Sequence, residues 1–246
     1  IEQIKLRATD IDLLAINVYG GLATLAVALR RAGWEGAYMV TEWGPTGHWE
    51  GLSTAWKAPI EETSSEKAAV YKSRYEYSVQ RDTEKCIGSY VFLWGQKQER
   101  TPTWYGIFTE KGEESEVVDV MHYLWSGNWP KNQAPHLYSF QLDNKKAVEN
   151  VYLKPGGSYN ALAVAIDPNN DKLTYRWELL PEATQLGEGG DFEPRPKVVE
   201  GRLTPVDAGK AVVKAPDVEG AYRLFVYITD GNNNVATANL PFYVKK

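Results

Sequence analysis

The sequence predicts two structural classes in one chain, an α/β half followed by an all-β half. Three observations carry this. From about residue 10 to 126, short apolar runs alternate with segments of helical period. The stretch Gly127-Asn-Trp-Pro-Lys-Asn-Gln-Ala-Pro135 then reads as a linker. Beyond it the helical period vanishes, and short alternating segments are separated by turn residues. The expected organisation is residues 1–130 as one domain and 131–246 as a second, a β-sandwich.

Each element has its own signal. Residues 11–18 form an apolar run broken only by Asp12 and Asn17, which reads as a buried strand ending at Asn17-Val-Tyr19-Gly-Gly. Residues 22–32 follow as a helix that stops at Gly33. Residues 36–42 form the next strand, closed at once by Gly44 and Pro45. A Trp-rich loop leads to Ser64-Ser-Glu-Lys, which opens a helix running to about Asp82. Tyr71, Tyr75 and Val79 mark one face of it. Residues 87–94 are a third strand, and residues 115–125 a third helix with Val117, Val118, Met121 and Leu124 as its stripe. Three β-then-α units imply parallel strands with right-handed crossovers. Long loops after the strands point to a (β/α) barrel whose chemistry sits at that face. Three units are less than half of eight, so the expectation is either a small open sheet or the C-terminal portion of a (β/α)8 barrel.

In the second half, strands are expected at 158–166, 172–180, 210–214, 221–229 and 235–244. About 110 residues of this kind suggest an immunoglobulin-like sandwich with Trp177 as its buried aromatic. The segments AIDPNNDKLTYRW and GAYRLFVYITDGNNNVATANLPFYV resemble PKD or cadherin-like modules. Asp167, Asn169, Asp171 and Asp230 are oxygen donors of the kind Ca²⁺ takes. The same residue types cap turns unaided, and plain turn chemistry is the preferred reading.

Composition narrows the function. The chain has 246 residues, a net charge of −5 and no cluster of Lys and Arg, which argues against nucleic acid as a partner. No apolar run approaches the ~20 residues of a membrane helix. A single cysteine, Cys86, excludes an intramolecular disulfide. Three His without metal-like spacing give no reason to expect a zinc site, and no cofactor is expected. Of nine Trp and fifteen Tyr, eight Trp lie in the first half, several in loops, and only Trp177 in the second. The chain begins at Ile1 with neither Met nor a signal peptide, and the expectation is that an N-terminal part is missing.

The most informative residues are Ala37-Tyr-Met-Val-Thr-Glu-Trp-Gly-Pro45, an apolar strand ending in Glu42 with an aromatic beside it. An acid at the C-terminal end of a parallel strand lies where barrel enzymes keep their chemistry, and a flat aromatic suits a sugar ring. An ordinary surface Glu at a strand end is the alternative. Three segments carry a resemblance to the C-terminal end of clan-A glycoside hydrolase barrels of the family 2 and family 5 type. Ile16-Asn-Val-Tyr19 resembles the sixth strand, Val40-Thr-Glu-Trp-Gly44 the seventh and Val91-Phe-Leu-Trp94 the eighth. Thr103-Trp-Tyr-Gly-Ile-Phe resembles the segment after it.

The resemblance implies a retaining mechanism, in which two carboxyl groups stand ~5–5.5 Å apart, one attacking the anomeric carbon and the other protonating the leaving oxygen. It makes Glu42 the nucleophile and Tyr19 its hydrogen-bond donor. Asn17, at the same strand end, would bind substrate, Trp94 would stack on the sugar, and Trp43 would shape the site. The family's acid/base Glu follows an Asn, and this chain contains no Asn-Glu pair. Glu50, Glu61, Glu62 and Glu99 lie in loops on the expected active face, with none singled out as the acid.

Other aromatic and polar residues have two readings. His48 and Trp49 are either a substrate subsite or a packed lid. Gln96, with Lys97, Gln98 and Glu99, could bond sugar hydroxyls or form a solvated turn. Trp104 and Tyr105 line an extended cleft or pack the loop. Trp34, Tyr38 and Trp125 are read as core or helix packing.

The functional expectation is the C-terminal part of a retaining glycoside hydrolase acting on a β-linked poly- or oligosaccharide, outside the cell or in the periplasm. By itself the chain is expected to be inactive. The competing expectation is a non-catalytic glycan-binding or scaffold protein on a degenerate barrel. A sheet with an open edge invites either self-association or a partner polypeptide carrying the missing N-terminal barrel half.

Overall fold

The three apolar runs of the first half become three parallel strands. They are β1 (Leu13–Asn17), β2 (Ala37–Trp43) and β3 (Cys86–Val91), ordered β1-β2-β3. The computed structural model describes residues 1–187, 189 and 191–246. A short helix, α1 (Glu2–Arg7), precedes the sheet. A 3₁₀ turn, Gly20–Thr24, leads into α2 (Leu25–Arg31) between β1 and β2. The second crossover is α3 (Ser64–Arg74), and α4 (Glu116–Ser126) follows β3. Leu14, Leu22, Tyr38, Val40, Tyr71 and Met121 meet in the core between sheet and helices.

Boundaries differ from the sequence expectation where local chemistry intervenes. The helix expected to reach Asp82 is α-helical only to Arg74 and continues as a π-helical turn, Tyr75–Val79. Gly127, at φ 75°, stops α4 in the left-handed conformation that glycine accepts without strain. Three parallel strands in one sheet do not by themselves display a barrel. Among the described residues, β1 and β3 each pair with β2 alone.

The second half is a two-sheet sandwich. One sheet runs β5-β7-β10-β9, from β5 (His136–Leu142), β7 (Ser158–Ile166), β9 (Leu203–Asp207) and β10 (Lys210–Lys214). The other holds β8 (Thr174–Pro181), β11 (Gly220–Thr229) and β12 (Asn234–Val244). Two short parallel strands complete it on the edge of β12, β4 (Glu114–Ser115) and β6 (Val151–Leu153). All five strands expected from the sequence are present within about two residues. Those not foreseen are very short (β4, β6), marked by Pro205 (β9), or placed directly after the linker (β5). Leu179, Leu224, Val226 and Phe242 are fully buried between the sheets. Trp177 is 9% exposed, 5.9 Å from Phe140 and tilted against it.

A buried polar seam joins the two halves. At the N-terminus of α3, Ser64 Oγ accepts the Thr237 N–H at 2.9 Å and Ser65 Oγ accepts the Leu137 N–H at 2.8 Å. Below them Lys67 Nζ donates to Glu61 Oε1 at 2.5 Å and to the Thr103 carbonyl at 2.6 Å. Glu61 Oε2 accepts from Thr101 Oγ1 and from Asn239 Nδ2. Arg223 donates to Asn239 Oδ1 at 2.6 Å, to the Pro59 carbonyl at 2.8 Å and to both oxygens of Glu182. Burial alone would raise the Glu61 pKa. The charge and hydrogen bond of Lys67, the hydrogen bond from Thr101 and the charge of Arg223 together outweigh it, so the carboxyl is held below its ordinary value.

Candidate functional site

The chemistry gathers at the C-terminal ends of the parallel strands. β1 and β2 run in register from Leu13–Ala37 to Ile16–Val40, then shift by one residue, so that Asn17 stands opposite Glu42 rather than Thr41. The Asn17 amide is oriented by its neighbours. Thr41 Oγ1 donates to Asn17 Oδ1 at 2.8 Å, which turns Asn17 Nδ2 toward Glu42 Oε2 at 3.2 Å. Two residues on, the Tyr19 hydroxyl donates to Glu42 Oε1 at 3.0 Å. Each oxygen of Glu42 thus receives one side-chain donor. Burial, then the negative charge of Glu42, push the Tyr19 pKa far above its ordinary value, so it remains a phenol donor.

Glu42 opens into a cavity of about 310 Å³. Its walls are largely aromatic. Tyr19 makes edge-on contacts with Trp49 (5.3 Å), Tyr105 (6.2 Å) and Phe92 (6.3 Å). Trp49 is 59% exposed, while Tyr105 is buried. His48 completes this wall. The Tyr105 hydroxyl accepts the His48 backbone N–H at 3.2 Å and lies 2.8 Å from Nδ1. Burial and the charge of Arg100 lower the His48 pKa, consistent with a neutral ring. Glu50 fastens this wall to the strand end, accepting the Gly20 N–H at 2.8 Å and the Gly47 N–H at 3.1 Å. A side chain at Gly20 would meet that carboxylate at 2.7 Å.

Several residues expected at the site lie elsewhere. Trp43 is fully buried, its ring tilted against Tyr71 and Tyr75. Successive strand residues face opposite sides, so with Glu42 in the cavity Trp43 must enter the core. Trp104 is 2% exposed and donates its indole N–H to the Thr46 carbonyl at 3.0 Å, so it packs the loop. Trp94 is exposed but lies outside the cavity lining, stacked on Trp125 at 5.7 Å. Phe92, two residues earlier, is the aromatic that lines the cavity from the end of β3. Gln96 donates to the Pro102 carbonyl at 3.1 Å and so braces its own loop. Trp125, expected in packing, is half-exposed.

A second carboxylate, Glu99, lines the cavity beside Arg100, and Lys97 binds it at 2.7 Å. Glu61 is committed to the buried seam, and Glu62 accepts from the Thr46 hydroxyl at 2.9 Å. Arg100 was not foreseen as a site residue, since a basic residue in a polar turn has no distinguishing pattern. A larger cavity of about 430 Å³ runs between Thr46, Leu52, Ile60 and Val70. It does not contain the Glu42 cluster, and the chemistry points to the smaller one. No helix among the described residues is long and apolar enough to cross a membrane.

No protein-family model matches the chain. No curated protein matches it either. Among solved structures, the PKD domain of an M14-like peptidase from Thermoplasmatales archaeon SCGC AB-540-F20 is similar to 47% of this chain over 99% of its own length, at 19% identity and a TM-score of 0.29. The PKD1 domain of Vibrio anguillarum Epp is similar to 47% of the chain over 98% of its length, at 16% identity and a TM-score of 0.27. A calcium-binding mutant (D341A D367A) of Bacteroides uniformis beta-glucuronidase 2 is similar to 99% of the chain, at 12% identity and a TM-score of 0.35. The chain spans 26% of that enzyme's length. These likenesses assign no function to this chain.

Proposed function

We propose that this chain carries the nucleophile of a retaining glycoside hydrolase acting on a β-linked poly- or oligosaccharide. The observation that carries the reading is Glu42, with one donor on each oxygen, at a parallel strand end inside an aromatic-walled cavity. A nucleophilic carboxylate has to present a fixed oxygen to the anomeric carbon, and a donor on each oxygen of Glu42 holds that orientation. Aromatic faces bind the apolar faces of sugar rings. Tyr19 and Asn17 orient the carboxylate, while Trp49, His48 and Phe92 form the sugar subsite. Trp94 is left with a place only in an extended cleft.

The general acid is proposed to come from outside these residues. Glu99, the other cavity carboxylate, is engaged by Lys97. The free edge of β1 supports a sheet continued by further strands, supplied by a partner polypeptide or a longer chain or covered by self-association. Residues 1–130 would then be part of a (β/α)8 barrel and 131–246 an appended sandwich, acting outside the cell or in the periplasm, where such polymers occur.

An activated fluorosugar tests the nucleophile without the acid. A 2,4-dinitrophenyl 2-deoxy-2-fluoro-β-glycoside expels dinitrophenolate unaided, so attack by Glu42 on C1 forms a stable glycosyl ester. Intact mass of the treated protein is expected to rise by one fluoroglycosyl group, with the label on Glu42 and none on the Glu42→Gln variant. A panel of hexosides, pentosides and uronides that leaves the wild type unlabelled overturns the reading. Glycan binding without turnover is the second reading, favoured by an aromatic cleft in which, among the described residues, Glu42 has no second carboxylate free of an ion pair beside it. It is selected if an unlabelled protein binds oligosaccharides equally well as wild type and as Glu42→Gln.

A further inference from the structure

A loop of the sandwich reaches the Glu42 cavity. The connection between β8 and β9, residues 182–202, contains no helix or strand among the described residues. Connections of that length inside a compact domain are usually functional. Two of its residues, Gly187 and Gly189, line the cavity together with Glu42, His48 and Trp49. Neither carries a side chain, so each lets a ligand come close to bare backbone.

One buried group ties that loop to the first half. Glu193 is 3% exposed, and no ion pair among the described residues includes it. A buried carboxyl needs its hydrogen bonds met from within the protein. Those of Glu193 come from two residues that line the cavity. Its Oε2 accepts the Arg100 N–H at 2.7 Å, and its Oε1 accepts the Gly187 N–H at 3.1 Å. Arg100 follows β3 in the first half, whereas Gly187 belongs to the sandwich. A single side chain therefore sets the spacing between the linings that the two halves contribute.

The turn it holds is a strained one. Arg100 has a φ of 62°, a left-handed conformation that a residue other than glycine keeps only where its surroundings impose it. Lys97 adds a second tie, donating to Glu99 at 2.7 Å and to the Gly189 carbonyl at 3.2 Å. Beyond Glu193 the loop is anchored again, where Arg195 pairs with Glu178 at 2.6 Å and with Glu110 at 3.3 Å.

We infer that the sandwich is part of the substrate site, with Glu193 as the positioning residue that holds its loop against the Glu42 cavity. The inference rests on Glu42 as the proposed nucleophile. Glu193 reaches the sugar only through the backbone it fixes, so its loss weakens binding and leaves the attack on C1 intact. The second half of the chain then contributes to specificity and is more than a spacer.

Two measurements on the full chain test this, with Glu193→Gln and Glu193→Ala beside the wild type. Gln offers one acceptor oxygen where two are used, and Ala offers none. The first measurement is amide hydrogen exchange. In Glu193→Ala the Arg100 and Gly187 N–H groups are expected to exchange about tenfold faster or more. Those of Leu137 and Thr237, bonded in the seam, are expected to keep the wild-type rate. The second is the rate of Glu42 labelling against the concentration of whichever 2-deoxy-2-fluoro glycoside labels the wild type. In Glu193→Ala the half-saturating concentration is expected to rise about fivefold or more, with the limiting rate within about twofold of wild type. Glu193→Gln is expected to fall between the two.

A variant that merely unfolds labels a smaller fraction of the protein at an unmoved half-saturating concentration, and that result overturns the inference while Glu42 stands. Unchanged exchange at Arg100 and Gly187 in Glu193→Ala overturns Glu193 as the tie. A wild type that takes no label overturns the nucleophile and the wall together.

Discussion

Asp119 shows how one buried carboxyl sets a pH dependence. It is 3% exposed on α4 and accepts the Ala134 N–H at 2.7 Å. Burial outweighs that hydrogen bond and raises its pKa from 3.8 to about 7. The unfolded chain releases the proton near the ordinary value, whereas the folded protein holds it to about pH 7. In that window the folded state binds more protons, so stability falls as pH rises and levels off above it. Asp119→Asn keeps the acceptor and removes the titration. Its Tm, measured at pH 5 and pH 8, is expected to decline less than that of the wild type; an equal decline would place the pH dependence elsewhere. At this scale the sequence was informative about Glu42, Tyr19 and Asn17, because strand ends can be located from apolar runs and turn residues. It was misleading about Trp43, whose place beside Glu42 suggested a wall of the site while strand alternation sends the ring inward. Trp94 misled for a related reason, since the strand ends at Val91 and the chain has turned before Trp94 is reached.

Elements hold together through their ends as much as their faces. α3 begins with a complete capping box. Thr63 Oγ1 accepts the Glu66 N–H at 3.2 Å, and Glu66 Oε2 accepts the Thr63 N–H at 2.8 Å. Thr63→Ala is expected to cost about 1 kcal/mol, read from urea unfolding. A loss below ~0.3 kcal/mol would mean that Ser64 and Ser65, anchored on the sandwich, hold this terminus without the box. The capping residues were visible in the sequence as a Ser-rich helix start, although the cap itself is one residue earlier. The π-helical turn after Arg74 was not visible, because its apolar positions keep nearly helical spacing. β9 escaped notice because Pro205 and exposed residues give an edge strand little alternation.

For the whole molecule, the decisive interactions are those no local pattern encodes. The buried pair Lys67–Glu61 is satisfied on every side by groups from both halves. Lys67→Met leaves a buried carboxylate without its cation and is expected to cost about 3–5 kcal/mol in denaturant unfolding. A loss under ~1 kcal/mol would mean that Thr101, Asn239 and Arg223 suffice to hold the charge. The sandwich and the parallel sheet were each readable from periodicity. The seam was not, since Glu61 looks like any loop acid, and Arg223 and Asn239 sit in strands otherwise chosen for burial.

The seam also bears on how the protein is made. Glu61 and Asn239 are 178 residues apart, and Ser64 and Thr237 are 173 apart. At ~5–20 residues per second, a ribosome needs roughly 9–36 s after Glu61 before Asn239 exists. During that interval the emerging first half lacks the strand that completes its buried acid. Its docking therefore waits for β12, and ribosome-bound nascent chains stalled before β12 would leave the Glu61 pocket open to water.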